Sequence, residues 1–338
     1  MNILQDIKRK KQNLLEGKLN VFPYPFPKLK THIPGWERGH YIIVTANTKV
    51  GKTQIADYMY MLYPLSFLYN NRNNSDITLD VVIEYISIEN DQLTKDYTVY
   101  SHFVSKFFLN EKNTSNPRKV PIANLKSLTS PLEDDVIHNI ENGKLKELFD
   151  FITPKYNIVD NLFTAIQIVN HIHQLGLKYG NFVDGKWIPN NPDLYINIII
   201  DHFSLLLSDT INKNIFDSIG YLSKEIMKLK KVYYTFTFIA IQQQAAQAES
   251  IQSIQFRNGE PTLDNLGENK ATGRDADLVL GLYSPYRHKL QVHEGMNIME
   301  LKDNYRSMSV LADRHYGKIG HFTRLFFDGS YNNFQELE

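Results

Sequence analysis

The sequence predicts an α/β domain in which a mostly parallel sheet is flanked by helices. Three observations carry this. First, short apolar, β-branched runs recur: HYIIVTA (40–46), VVIEYISIE (81–89), LYINIIID (194–201), YYTFTFIAIQ (233–242) and LVLGLYS (278–284). They lack the alternation of a half-solvated strand, so both faces are expected to be covered. Second, stretches of helical spacing separate them, at 52–63, 91–109, 161–180 and 218–231. Third, the first strand runs into a glycine- and lysine-bearing turn that opens a helix, the setting of a phosphate loop.

Residues 1–20 read as an amphipathic helix, with Ile3, Ile7, Leu14 and Leu15 on one side and Lys8 to Lys11 on the other. It is either a solvated basic helix or an arm that docks on a neighbouring subunit. VFPYPFPKL follows, and its three prolines mark a linker. The organisation is therefore an N-terminal helix and linker arm over 1–27 and one α/β domain over 28–338. Pro64 is expected to end or kink the helix that starts near 52. Residues 110–135 are rich in Asn, Ser, Lys and Pro, and the stretch 110–155 reads as an insertion. DGKWIPNNPD (184–193) is turn-rich. NIMELKDN, SMSVLADR and HFTRLFFDG are expected to close the chain as strands or hairpins.

The 338 residues carry 37 Lys plus Arg against 37 Asp plus Glu, so no global charge draws the chain to nucleic acid and any DNA contact has to be a local patch. The absence of cysteine excludes disulfides and thiolate-bound zinc. No apolar run is long enough to span a membrane, and the charged start MNILQDIKRKKQ is unlike a signal peptide. A soluble, cytoplasmic protein without membrane contact is expected.

The segment Ala46-Asn47-Thr48-Lys49-Val50-Gly51-Lys52-Thr53 matches G-x-x-x-x-G-K-[ST] except for Ala at the first position. Its backbone N–H groups would cradle phosphate oxygens, Lys52 would reach the outer phosphates, and Thr53 would ligate Mg²⁺. ATP and Mg²⁺ are the implied cofactors. An ATPase also needs a carboxylate for magnesium and a group to position water. Asp201 ends a strand at the edge where the first belongs. Glu89 ends another and is the candidate for the second. Gln242 or Gln243, at the end of a third, is a candidate γ-phosphate sensor.

These residues resemble the ATPase core of DnaB-type replicative helicases, a RecA-like fold of the P-loop NTPase superfamily, over about 28–338. IPGWERGHYIIVTANTKVGKT is similar to the family's lead-in and A-R-P-x-x-G-K-T loop, where Ala46 is common. ISIEND resembles S-L-E-M, IVDNLFTAIQIVNHI the stretch ahead of the magnesium carboxylate, INIIIDHFSLL the I-V-I-D-Y-L-Q-L strand, and IAIQQQAAQ the S-Q-L-N-R segment. LGENKATGRDADLVLGLY (266–283) resembles L-R-E-S-G-A-I-E-Q-D-A-D-V-V-x-x-L-Y without a gap. LADRHYGKIGHF is similar to the closing K-x-R-x-G-x-x-G hairpin, with Gly317 and Gly320 as its glycines; Asp313 and His315 stand where the family has Lys and Arg.

The resemblance implies a C-terminal β-hairpin region and a homo-oligomer, a hexameric ring with ATP between subunits. Lys52, Thr53, Asp201, Glu89 and Gln242 would act within one protomer. Arg314, with Lys318 and Arg324 in reserve, would serve the neighbour's site as an arginine finger. Single-stranded DNA would meet Lys213, Arg257, Lys270 and Arg274, and a primase or helicase loader is a possible further partner. The family's N-terminal helical domain has no counterpart in 1–27. The implied function is an ATP-driven DNA helicase or translocase at replication. The alternatives are a RecA-fold ATPase that loads, remodels or packages DNA without unwinding, and a nucleotide-gated assembly protein without turnover.

Overall fold

The structure is a computed structural model and describes residues 3–110, 118–126, 132–246 and 259–338. Its main sheet has nine strands among these residues. In chain order they are β1 (Tyr41–Ala46), β2 (Asp80–Ser87), β3 (Tyr156–Val159), β4 (Leu194–Asp201), β5 (Phe236–Gln243), β6 (Leu278–Tyr283), β7 (Tyr305–Asp313), β8 (Phe322–Asp328) and β9 (Asn333–Glu336). Across the sheet the order is β9-β8-β7-β6-β1-β5-β4-β2-β3. The six from β6 to β3 run parallel, and β7, β8 and β9 extend the sheet antiparallel.

The predicted two-sided burial is found. Ile42 and Val44 of β1 face a cluster with Ile55, Leu65, Tyr85 and Phe103, while Tyr41 and Ile43 face a second with Ile168, Ile172, Leu222 and Ile226. Helices Ala165–Tyr179 and Ile215–Val232 supply much of the second cluster. Each starts where a side chain satisfies an orphan backbone donor: Thr164 accepts from Gln167 N, and Asn214 from Asp217 N.

The proline-rich stretch read as a linker is packed against the domain. Phe22, Tyr24 and Phe26 are essentially fully buried, Phe22–Pro23 pairs with Gly35–Trp36, and Phe22 stacks on Trp36 at 4.7 Å. The prolines keep this ribbon out of the main sheet, but its aromatic rings enter the core. The helix ahead of it spans Ile3–Leu15, with Ile3, Ile7, Leu14 and Leu15 exposed.

Pro64 does not end its helix. Lys52–Asp57 passes into a π-helical segment, Tyr58–Leu62, and then into Tyr63–Asn70. Proline cannot donate to the Tyr60 carbonyl one turn back. The buried Asn197 side chain donates to that oxygen instead, at 3.1 Å, and its own Oδ1 accepts from Trp36 Nε1 at 3.3 Å.

Within 110–155 the described residues are helical at Ile122–Lys126, Asp134–Asn142 and Lys144–Ile152, the last burying Leu145, Leu148 and Phe149. The turn-rich 184–193 holds a hairpin return: Gly180–Val183 pairs with Lys186–Pro189 around Asp184 and Gly185, both at positive φ. NIMELKDN forms a short hairpin strand and a 3₁₀ turn rather than a long strand. The other two closing segments are β7 and β8.

Candidate active site

Strand register gathers the site. Ala46 pairs with Gln243, Ser87 with Asp201, and Asp201 with Ile241, so the ends of β1, β2, β4 and β5 meet at one sheet edge. Beyond Ala46 the chain turns through Lys49 (φ 59°) and Gly51 (φ 108°) into the helix at Lys52. The Gly51 angle is one an L side chain rarely adopts, which accounts for the glycine. Asn47 is buried and donates to the Gly259 carbonyl at 2.9 Å. Thr48 and Lys49 are exposed and Val50 is buried.

A cavity of 540 Å³ opens over this turn, lined by Lys52, Thr53, Glu89, His202, Gln243 and Arg287 among others. Lys52 makes no ion pair with any described residue. Thr53 Oγ1 donates to Asp201 Oδ1 at 3.0 Å. A larger hollow of 820 Å³ lies at the opposite edge, beside Arg38, Trp187 and Tyr195, and holds none of these groups.

Asp201 is fully buried, and its Oδ2 accepts from Tyr85 Oη at 2.9 Å and Lys95 Nζ at 3.1 Å. Burial alone would raise its carboxyl; the Lys95 ammonium outweighs this and holds it below the usual range. Asp57, on the helix that follows the phosphate loop, shares Lys95 but is pushed up to about 6 by burial.

Glu89 stands beyond the end of β2, which stops at Ser87, on a turn where Ser87 Oγ donates to the Asn90 carbonyl at 2.6 Å. Its carboxylate is half-exposed, 3.7 Å from His202 Nε2. Sequence reasoning passed over His202. It is buried, lines the cavity, and is held below the ordinary imidazole range by burial and then by the Lys52 charge.

Gln242 and Gln243 part at the end of β5. Successive strand residues face opposite ways. Gln242 is fully buried and donates to the Gly267 and Asn269 carbonyls, while Thr272 Oγ1 donates to its Oε1 at 2.6 Å. Gln243 points into the cavity and donates to Thr48 Oγ1 at 2.7 Å.

Arg306 and Arg287 were also missed. Arg306 is buried on β7, donates through Nε to the Val50 carbonyl at 2.7 Å, and is lowered to about 10 by burial. It lines the same cavity and braces the loop through Val50. Arg287 is exposed, with Nη1 3.4 Å from the Thr48 carbonyl. Both lie in stretches without a recognisable motif, where only the fold brings them to the loop.

Arg314 is not brought to this edge. β7 runs antiparallel to β6 and Asp313 pairs with Leu278, so Arg314 stands at the far edge, its backbone N–H on the Asp277 carbonyl at 2.9 Å. Lys318 is exposed in the turn after it, and Arg324 lies on β8 with Nη1 3.3 Å from the Glu338 carbonyl. Lys213, Lys270 and Arg274 are exposed on the segments that follow β4 and β5. Arg257 lies outside the described residues.

The donor chemistry fits a phosphate-bound Mg²⁺. Thr53 and Asp201 offer a hydroxyl and a carboxylate, hard oxygens of the kind that ion takes, in hydrogen-bond contact where Thr53 lines the cavity.

No protein-family model and no curated protein matches the chain. Solved structures do. One is an ATPase domain at 19% identity and TM-score 0.68, with 100% of this chain and 99% of that one covered. Another is a DnaB-like replicative helicase solved with its interactions with primase, at 19% identity and TM-score 0.68, covering 100% of this chain and 69% of that one. No described helix is long and apolar enough to cross a membrane. Strand order, register and these superpositions agree: the chain has the RecA-like fold of the ATPase domain of DnaB-like helicases.

Proposed function

We propose that this protein is an ATP-hydrolysing motor of the DnaB-like type, a helicase or translocase on single-stranded DNA that works as a homo-oligomeric ring. The observation that carries the reading is the convergence of Lys52, Thr53, Glu89 and Gln243 on one cavity, with Asp201 bonded to Thr53 at its floor. The loop N–H groups and Lys52 would bind the phosphates of ATP. Thr53 and Asp201 would hold Mg²⁺, which neutralises charge on the phosphoryl oxygens. Glu89 would orient the attacking water and take its proton. Gln243, tied to Thr48, would sense the outer phosphate at the end of a strand that leads toward the proposed DNA-facing segment.

Arg314, remote from its own protomer's cavity, would complete a neighbour's site. Lys213, Lys270 and Arg274 would meet the DNA backbone through charge, so binding should weaken with salt. The solved helicase that this chain superposes on interacts with primase, and a primase or loader contact is proposed here by that likeness. The domain division is proposed as an N-terminal arm and one ATPase domain whose core takes in the aromatic ribbon.

The test is ATP turnover with and without single-stranded DNA, alongside a mass measurement and a strand-displacement assay. Turnover stimulated by single strands in a ring-sized species supports the motor. Turnover indifferent to DNA would sink it.

A further inference from the structure

Lys95 is a lysine almost wholly withdrawn from water, at 2% exposure, on the helix Gln92–Leu109 that follows the Glu89 turn. Its ammonium lies 3.1 Å from Asp201 Oδ2 and 3.2 and 3.3 Å from the two Asp57 oxygens, and it also donates to Tyr85 Oη. Tyr85 in turn donates to Asp201 Oδ2. Asp57, Asp201 and Tyr85 are as buried as Lys95.

Stability alone is a weak reason for this group. A buried ion cluster is often no better for folding than apolar residues of the same volume. Its members do sit on the elements that carry the site. Asp57 lies on the helix that Lys52 and Thr53 open, Asp201 closes β4, and Lys95 belongs to the helix entered from Glu89. One ammonium therefore ties together the three segments whose relative placement defines the cavity. It also engages Asp201 on one oxygen only, leaving Oδ1 to Thr53. One positive charge against two carboxylates leaves a single negative charge to attract a cation.

We propose that Lys95 is a positioning residue of the magnesium site: held by Asp57 and Tyr85, it fixes Asp201 with Oδ1 on Thr53 and so presets that pair for the ion. The proposal rests on the ATP-site reading above. Groups that orient a metal ligand from behind typically change metal affinity by about 10–100-fold when removed.

The test follows binding of a fluorescent ATP analogue to the full chain, in EDTA and then with rising Mg²⁺. Lys95→Met alone strands two buried carboxylates, so it is paired with Asp57→Asn, which returns the cluster to one negative charge. The double variant is expected to melt near wild type, to bind the analogue in EDTA as wild type does, and to need about 10–100-fold more Mg²⁺ for half-saturation. Tyr85→Phe, which keeps the ammonium and removes one donor to Asp201, is expected to shift the same midpoint in the same direction by less. It decides the matter if the double variant does not fold. A variant with the wild-type Mg²⁺ midpoint, or one that loses binding equally in EDTA, would overturn the proposal alone. Wild-type binding that ignores Mg²⁺ would overturn the ATP-site reading and the proposal with it.

Discussion

Arg306 shows how a single buried cation supports a loop from a neighbouring strand. Its Nε holds the Val50 carbonyl and its Nη1 holds the Asp303 and Tyr305 carbonyls. Lysine would keep the charge and lose the planar fork. Arg306→Lys is expected to lower unfolding free energy by about 1–3 kcal/mol, the cost of stranding one buried acceptor, and to weaken nucleotide binding. Denaturant titration and analogue binding measure the two effects, and an unchanged affinity would show that the loop stands without the brace. His102 offers a pH handle. It is fully buried, its Nδ1 donates to the Tyr331 and Asn332 carbonyls, and its Nε2 has no hydrogen-bond partner among the described residues. Burial, then the Lys106 charge, lowers it to about 3. An imidazole depressed in the folded state stabilises fully above its unfolded value near ~6.5, and that stability drains away as pH falls toward 3. Unfolding free energy should therefore drop by up to ~1.4 kcal/mol per pH unit below about 6.5 through this residue. His102→Asn, which keeps a donor without the titration, should flatten that slope; an identical slope in the variant would remove His102 as the cause.

At the scale of elements, the phosphate loop separates chemistry from folding. Lys52 has no ion pair among the described residues and sits on a turn whose backbone is set by Gly51. Lys52→Ala should abolish ATP hydrolysis while shifting stability by no more than ~0.5 kcal/mol, because it takes away a loop cation and no core contact. Turnover near wild type would refute the site. The turn that joins β1 to its helix was readable in the sequence because its signal is local, as were β1, β4, β5 and β6, whose apolar runs need no partner to be recognised. β3 was not: Tyr156–Val159 is four residues long and is a strand only because it lies beside β2. The helix through Pro64 escaped for a similar reason, since Asn197, far away in sequence, supplies the donor that proline lacks. Gln242 and Gln243 could not be told apart until the pleat gave each its face. Arg306 and Lys95 carry no motif, and nothing in their neighbours' identity marks them. Their roles exist only once β7 and the helix Gln92–Leu109 have packed.

For the whole molecule, the decisive feature is that the loop at 46–53 and the hairpin with Arg314 occupy opposite edges of one sheet. In the proposed ring, Arg314→Ala is expected to cut turnover about a thousandfold, as for other arginine fingers, while a lone protomer binds ATP as before. Equal loss of binding would give the arginine a structural role. Two surfaces at opposite poles that meet on successive copies make a head-to-tail contact, which closes into a circle or runs on as a fibre. Such an assembly can be repaired by mixing its cripples. A subunit lacking Lys52 still lends an intact Arg314 to the next, and a subunit lacking Arg314 still presents an intact Lys52. Blending the two dead variants should bring back part of the turnover at the junctions where the sound halves meet.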